Sequence, residues 1–427
     1  MAGPHISGSE TNGRVFAVAV LAVSTYLVLV ASGAMFLLVV SLKQIAGDFG
    51  WPRAVPSFAY LLFFAGTGIG GIAMGYWYDR AGAGPVSLLG MTMLGAGAAL
   101  AGTIDSEWQL YLVYGAMMGL LGYATVYGPL SINAMRWFEN RRGLAVGLVT
   151  AGESIGGTVW PPVFRYFNET AGWRDTFFGF GVFVLVTALP LSLVLWRRIP
   201  ARDASSSDDR GRSAESRSGT PAVRQRTIAL STFATQTAFC LAIVGCCVSM
   251  AMPVAHLVAH ASDLGHATAR AAEMLATALL AATVVRFVGG ALLVDRIGGL
   301  VSLLAFSGLQ TAALLLYAAV DGMLALYAVS ALFGIGYGGI SICYPVIVRE
   351  HLPPAEAGRR LGVVLLFGTL AMGLGGWLAG YLFDWTGSYT PAFLVGAAFN
   401  ATNLIVVLIL ITRMRTGGAE PMRASPV

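Results

Sequence analysis

Read by its apolar and polar positions, the chain is a series of long apolar runs separated by short polar breaks, not the 3.6-residue alternation of a soluble amphipathic helix. Runs of bilayer-spanning length fall at about 15 to 41, 55 to 77, 86 to 104, 108 to 135, 143 to 166, 173 to 196, 228 to 256, 268 to 293, 300 to 320, 322 to 348, 360 to 383 and 389 to 412. This pattern predicts an all-α membrane protein with twelve transmembrane helices. The first run, Val15 to Leu42, is too long for the apolar region of a cleaved signal and is retained as a helix. One extended polar stretch, Arg197 to Arg226, is rich in Ser, Arg, Asp and Gly. It is expected to be a cytoplasmic linker over 197–226 between an N-terminal six-helix bundle, 1–196, and a C-terminal one, 227–427.

Composition agrees with that pattern. Of the 427 residues, 56% are apolar and 11% charged, against roughly a quarter charged in a soluble domain. A water-soluble enzyme is excluded. Glycine, 54 residues, is scattered through the apolar runs, as close helix packing in a membrane requires. The net charge of +5 forms no basic stripe, so nucleic acid is not an expected partner. Twenty of the 26 basic residues fall on the side that carries both termini and five on the other, with Arg286 inside a run. By the positive-inside rule both termini are expected in the cytoplasm of a multi-pass cell-membrane protein. Cys240, Cys246, Cys247 and Cys343 lie in apolar runs with no metal or disulfide spacing, and are read as packing residues.

The halves echo one another. GYWYDRAG at Gly75 to Gly82 recurs as ALLVDRIG at Ala291 to Gly298, and RRGLAVGL at Arg141 is weakly matched by RRLGVVL at Arg359, at offsets of 216 and 218. Two matches at nearly one offset suggest duplication of a six-helix unit, which places a substrate site between halves near the midplane. Asp79-Arg80 and Asp295-Arg296 resemble the loop signature of the major facilitator superfamily, found after the second and eighth helices. Ala83 and Pro85 replace basic residues that commonly end the first copy, and Ala291 replaces the leading glycine of the second, so a weakened latch is expected. Trp137-Phe138 to Gly147, the Arg286-Phe287-Val-Gly289-Gly290 patch and the His256 to Gly265 stretch resemble the monocarboxylate and oxalate/formate branch. The resemblance implies a major facilitator fold of two pseudo-symmetric bundles, gating by Asp79, Arg80, Asp295 and Arg296, and an eighth-helix arginine that binds a carboxylate. It also places Tyr127, Phe36, His256 and Tyr337 on the wall of a central cavity.

Arg286 stands out without the family. It lies nine residues before Asp295, roughly 13 Å of helix, where an arginine costs about 2.5 to 3.5 kcal/mol on the lenient insertion scale and needs a partner. A carboxylate matches its planar fork; a permanent intramembrane salt bridge is the alternative. Glu153 is the one acidic residue placed deep in a run, flanked by Gly152 and Gly156. It is expected to couple a proton or to shape the pocket opposite Arg286, since relatives carry an acidic or amide group where Ala282 stands here. His256 and His260 are four apart, but no acidic or Cys partner joins them, so metal is discounted and no cofactor is expected. The eleventh run, Arg360 to Phe383, has no deep cation, which favours a monoanion over a dianion.

The expected function is therefore transport of a small organic monocarboxylate by alternating access, with H⁺ as the symported ion and the lipid bilayer as surroundings. An organic anion antiporter or a drug exporter on the same fold remains the alternative. A membrane-embedded enzyme or sensor is disfavoured, because the runs hold no nucleophile with a positioned base. Substrate identity, direction and protein partners stay open.

Overall fold

The computed structural model describes residues 8–138, 142–196, 230–289, 294–353 and 356–414. Within them are twelve long helices and no strand. They are α1 (Gly8–Phe49), α2 (Ala54–Ala81), α3 (Ala83–Ala101), α4 (Glu107–Trp137), α5 (Arg142–Thr170), α6 (Trp173–Trp196), α7 (Thr232–Asp263), α8 (Thr268–Gly289), α9 (Gly299–Tyr317), α10 (Met323–His351), α11 (Ala357–Thr386) and α12 (Thr390–Thr412). Eleven are long and apolar enough to cross a membrane. The exception, α5, is 29 residues long but carries Glu153, Arg165 and Glu169 together with small polar residues. Such a helix belongs inside the bundle, and α5 packs between α1 and α8. The linker expected at 197–226 lies outside the described residues.

Small residues set the helix spacing. Gly66 and Gly70 of α2 sit so close to α4 that an added Cβ would lie 2.3 Å from the Gly115 carbonyl oxygen and 2.4 Å from that of Leu120. In the second half, Gly334 and Gly338 of α10 press on the carbonyls of Ala278 and Ala282 of α8 at 2.0 and 2.4 Å by the same measure. Paired small residues four apart are what lets membrane helices touch backbone to backbone. In α4 the winding widens to i→i+5 over Val113–Tyr123, which turns the helix locally and presents Tyr123 and Tyr127 toward α5.

With an even number of helices, both described chain ends lie at one end of the bundle, here called the terminal end; the other is the distal end. The halves meet along α2 with α11 and α5 with α8. Along α2, Ser57 faces Gly380, Leu61 faces Gly373 and Gly68 faces Leu366. Beyond that point, Gly71 and Gly75 of α2 and Gly358 and Gly362 of α11 have no atom within 4 Å of an added Cβ. The halves are thus joined at the distal end and diverge toward the terminal end.

Candidate functional site

Arg286 sits midway along the interface, on α8 of the second half, with a side chain only 16% exposed. One amino group donates to Ser154 Oγ on α5 of the first half. The other donates to Ser341 Oγ on α10 at 3.2 Å. Glu153 of α5 lies beside it with a carboxylate oxygen at 4.0 Å, too far for a hydrogen bond. The guanidinium stacks over the Tyr337 ring at 5.1 Å, and its buried Nε has no hydrogen-bond partner among the described residues. The cation is held from both halves, but by hydroxyls and a carboxylate at 4.0 Å, and among the described residues none gives it a bidentate carboxylate, its strongest class of partner.

Close packing of α5 on α1 aims this group. Gly152 and Gly156 leave no room for a Cβ against the Thr25 and Leu29 carbonyls of α1, so the intervening Glu153 and Ser154 are held at the face that meets α4 and α8. Tyr60, Tyr123, Tyr127 and Tyr337 all lie within electrostatic reach of Glu153. Tyr123 and Tyr127 stack, with centroids 5.9 Å apart and planes 16° from parallel. The Tyr60 hydroxyl is buried and has no hydrogen-bond partner among the described residues. An underpartnered guanidinium, with an unpaired buried phenol within electrostatic reach of the same Glu153, offers donors to an anion.

Of the residues expected from sequence, the structure brings together Arg286, Glu153, Tyr127 and Tyr337. Phe36 is buried one helical turn away, its ring against Gly157 of α5 and Leu279 of α8. His256 is elsewhere. It is 0% exposed, with Nδ1 at 3.0 Å from the Tyr389 hydroxyl and Nε2 at 2.7 Å from the Gly376 carbonyl, so both nitrogens are engaged and neither serves Arg286. Sequence reading missed Ser154, Ser341, Tyr60 and Tyr123. Ser341 follows Tyr337 by four residues and hence shares its helix face; Ser154 adjoins Glu153. Those spacings were the available signals. Among the described residues no cluster of His, Cys, Asp and Glu could hold a metal.

At the terminal end, Asp79 pairs not with Arg80 but with Arg136 at the end of α4, at 2.8 Å, and both are well exposed. Arg80 lies over the ring of Tyr76 on its own helix. The second copy differs: Arg296 is exposed, and the Asp295 side chain lies outside what is described.

The distal end is closed by a denser network. Arg53, in the turn between α1 and α2, forks onto both carboxylate oxygens of Asp263 at the end of α7, donates to the Tyr389 hydroxyl at 2.9 Å, and stacks on Phe383 at 3.7 Å. Burial by itself lowers the pKa of Arg53, but Asp263 and Tyr389 together outweigh it and hold the group above the ordinary arginine value. Lys43 reaches the same Asp263 at 2.7 Å. Asp384 of α11 accepts from the backbone N–H groups of Arg53 and Ala54, at 2.8 and 2.6 Å, and so caps α2 from the other half.

The sequence profile of the Major Facilitator Superfamily matches residues 23–359 and 237–425. Monocarboxylate transporter 13 of Rattus norvegicus is 28% identical over 322 residues, 75% of this chain and 71% of that one. Two solved structures share the fold. A bacterial homologue of the human lysosomal transporter Spinster aligns with a TM-score of 0.68 at 13% identity, over 94% of this chain and 99% of that one. A POT family transporter in complex with 5-aminolevulinic acid aligns at 0.71 and 12%, over 92% and 95%. The chain belongs to the Major Facilitator Superfamily, is a transporter and not an enzyme, and resembles the monocarboxylate branch of that family.

Proposed function

We propose that the protein moves a small organic monocarboxylate across the membrane by alternating access, together with a proton. The carrying observation is Arg286, a mostly buried guanidinium between the halves that donates to the hydroxyls of Ser154 and Ser341, with Glu153 at 4.0 Å and Nε without a hydrogen-bond partner among the described residues. A monocarboxylate arriving from the terminal end replaces those hydroxyls with two charge-assisted hydrogen bonds. Tyr127, Tyr337 and Phe36 pack the apolar body of the solute, and Tyr60 donates to a second polar group on it. The names of the monocarboxylate transporter relatives support the same substrate class. The lack of Lys or Arg in α11 between Leu361 and Thr386 favours one negative charge over two.

Glu153 is the proton-coupling group in this reading. Its carboxylate lies beside Arg286, and the co-transported proton spares the site a second buried anion once the substrate carboxylate holds the guanidinium. Carrying A⁻ with H⁺ moves no net charge, so flux follows the pH gradient, about 1.4 kcal/mol per unit, and ignores the membrane potential. Asp79, Arg80, Asp295 and Arg296 gate the terminal end, and the excess of basic residues on that side supports a cytoplasmic orientation in the cell membrane.

The test is counterflow in proteoliposomes with a panel of aliphatic, hydroxy, keto and aromatic acids, comparing the native chain with Arg286→Lys and Arg286→Ala. Native counterflow of monocarboxylates that both variants lose supports the reading. Counterflow retained by Arg286→Ala, or an imposed potential that drives uptake without a pH gradient, overturns the binding role or the stoichiometry respectively. Exchange with internal anion in place of proton symport is recognised by uptake that requires internal anion and is not driven by an imposed pH gradient.

A further inference from the structure

The distal joint contains a hydrogen-bond relay whose proton positions are fixed by chemistry. The Gly376 carbonyl can only accept, so His256 Nε2, 2.7 Å away, carries the ring proton. In the neutral ring Nδ1 is then an acceptor, and the Tyr389 hydroxyl at 3.0 Å gives it its single proton. That leaves the phenol oxygen to accept from Arg53 at 2.9 Å. Arg53 comes from the first half; Tyr389, His256 and Gly376 all belong to the second.

A second ring proton does not fit. On Nδ1 it would meet the Tyr389 hydrogen, and the phenol would have to turn away and accept from an imidazolium and a guanidinium at once. Among the described residues, neither carboxylate of the joint is free to compensate. Asp263 is engaged by Arg53 and Lys43, and Asp384 by the N-terminus of α2. The other ionisable groups facing this region are His260 on α7, edge-on to Tyr389, and Tyr60 on α2, whose ring lies against Gly376; α12 carries none. Ser57 of α2 lies 3.5 Å from Nε2. Separation of the halves at this end removes Arg53, the cation that opposes protonation, and frees the Tyr389 oxygen.

We infer that His256 is a proton-binding switch of the distal joint, neutral while the joint is closed and protonated when it opens, so that acid on the distal side favours the distally open conformation. The sign follows from linkage: the conformation that binds the additional proton gains population as pH falls. The same step uncaps α2, because Asp384 leaves with the second half. The inference does not depend on which solute is carried.

The experiment uses the full chain in lipid nanodiscs with spin labels on Thr103→Cys and Gly322→Cys, both exposed at the distal end, the four native cysteines being buried. Electron–electron distance distributions are recorded from pH 8 to pH 5. The native background is expected to gain at least tenfold in the ratio of long to short distances as pH falls. His256→Gln, which keeps a neutral donor for Gly376, is expected to change less than twofold, while His260→Gln keeps the native profile. Tyr389→Phe removes the relay yet leaves a ring for Arg53 to stack on, and is expected to raise the long-distance population at pH 8 and flatten its pH response. A native profile retained in His256→Gln overturns the inference, as does a native background indifferent to pH. If His256→Gln does not fold, Tyr389→Phe decides in the same way.

Discussion

Two arginines lie between the halves, nearly equally hidden, with 13% of the Arg53 side chain and 16% of that of Arg286 exposed. Their surroundings are opposite. Arg53 is saturated by a forked carboxylate, a phenol and an aromatic face. Arg286 has two serine hydroxyls, a carboxylate held off at 4.0 Å and an unpaired Nε. Burial alone therefore does not separate a structural cation from a binding one; the degree to which its donors are already used does. A saturated guanidinium joins the halves, whereas an unsaturated one leaves a place for a solute.

The largest expected effect tests the unsaturated side of that contrast. Arg286→Ala should lower monocarboxylate uptake by at least a factor of about 100, the loss of two hydrogen bonds to a charged group at about 1.5 kcal/mol each or more. Arg286→Lys should recover little of it, since a point charge cannot match the fork. Near-native uptake by the lysine variant would put Arg286 in the same class as Arg53. The counterpart, Arg53→Ala, should leave substrate recognition intact but shift the halves toward distal opening by about 2 kcal/mol, the lower range for breaking a hydrogen-bonded charge pair, because Lys43 still holds Asp263. Distal spin-label distances report it, and unchanged distances would mean that the joint does not rest on this group.

Glu153→Gln sharpens the comparison at the central site. It should abolish the rise of uptake toward acid pH while sparing exchange of internal for external substrate, which needs no net proton movement. A pH profile like that of the native protein would remove Glu153 from coupling. Ser154→Ala and Ser341→Ala should each change apparent affinity by about fivefold, the value of one hydrogen bond near 1 kcal/mol, measured as a concentration dependence of counterflow. The smallest effect is expected at the terminal end. Asp79→Asn breaks an exposed pair with Arg136, worth about 0.2 to 1 kcal/mol, so uptake should change by at most about fivefold, and less again at high salt.

Much of this architecture is legible along the chain. A bilayer demands long apolar runs whose backbone groups are all paired within a helix, so helix count and order are written locally. The depth of Arg286 follows from counting back from the Asp295-Arg296 loop, and its exceptional cost in lipid marks it as functional. The helix face of Glu153 is likewise a matter of its glycine neighbours, Gly152 and Gly156, which must meet another backbone.

What the linear order does not contain is which faces of distant helices turn toward each other. Arg53 reads as an ordinary loop residue after Trp51-Pro52, and Asp263 as the polar end of a run; their pairing spans 210 positions and exists because α2 begins where α7 ends. His256 reads as a cavity residue because it shares a stretch with a family pattern, yet its helix rotation aims it at Tyr389 and Gly376. Asp79 reads as part of a helix-end latch whose partner the linear order does not name, and the end of α4 brings Arg136 to it. Local sequence fixes where a side chain stands along the membrane normal, since the energy of burying a polar group depends on depth. Its partners depend on rotation about that normal, which the packing of twelve helices decides together.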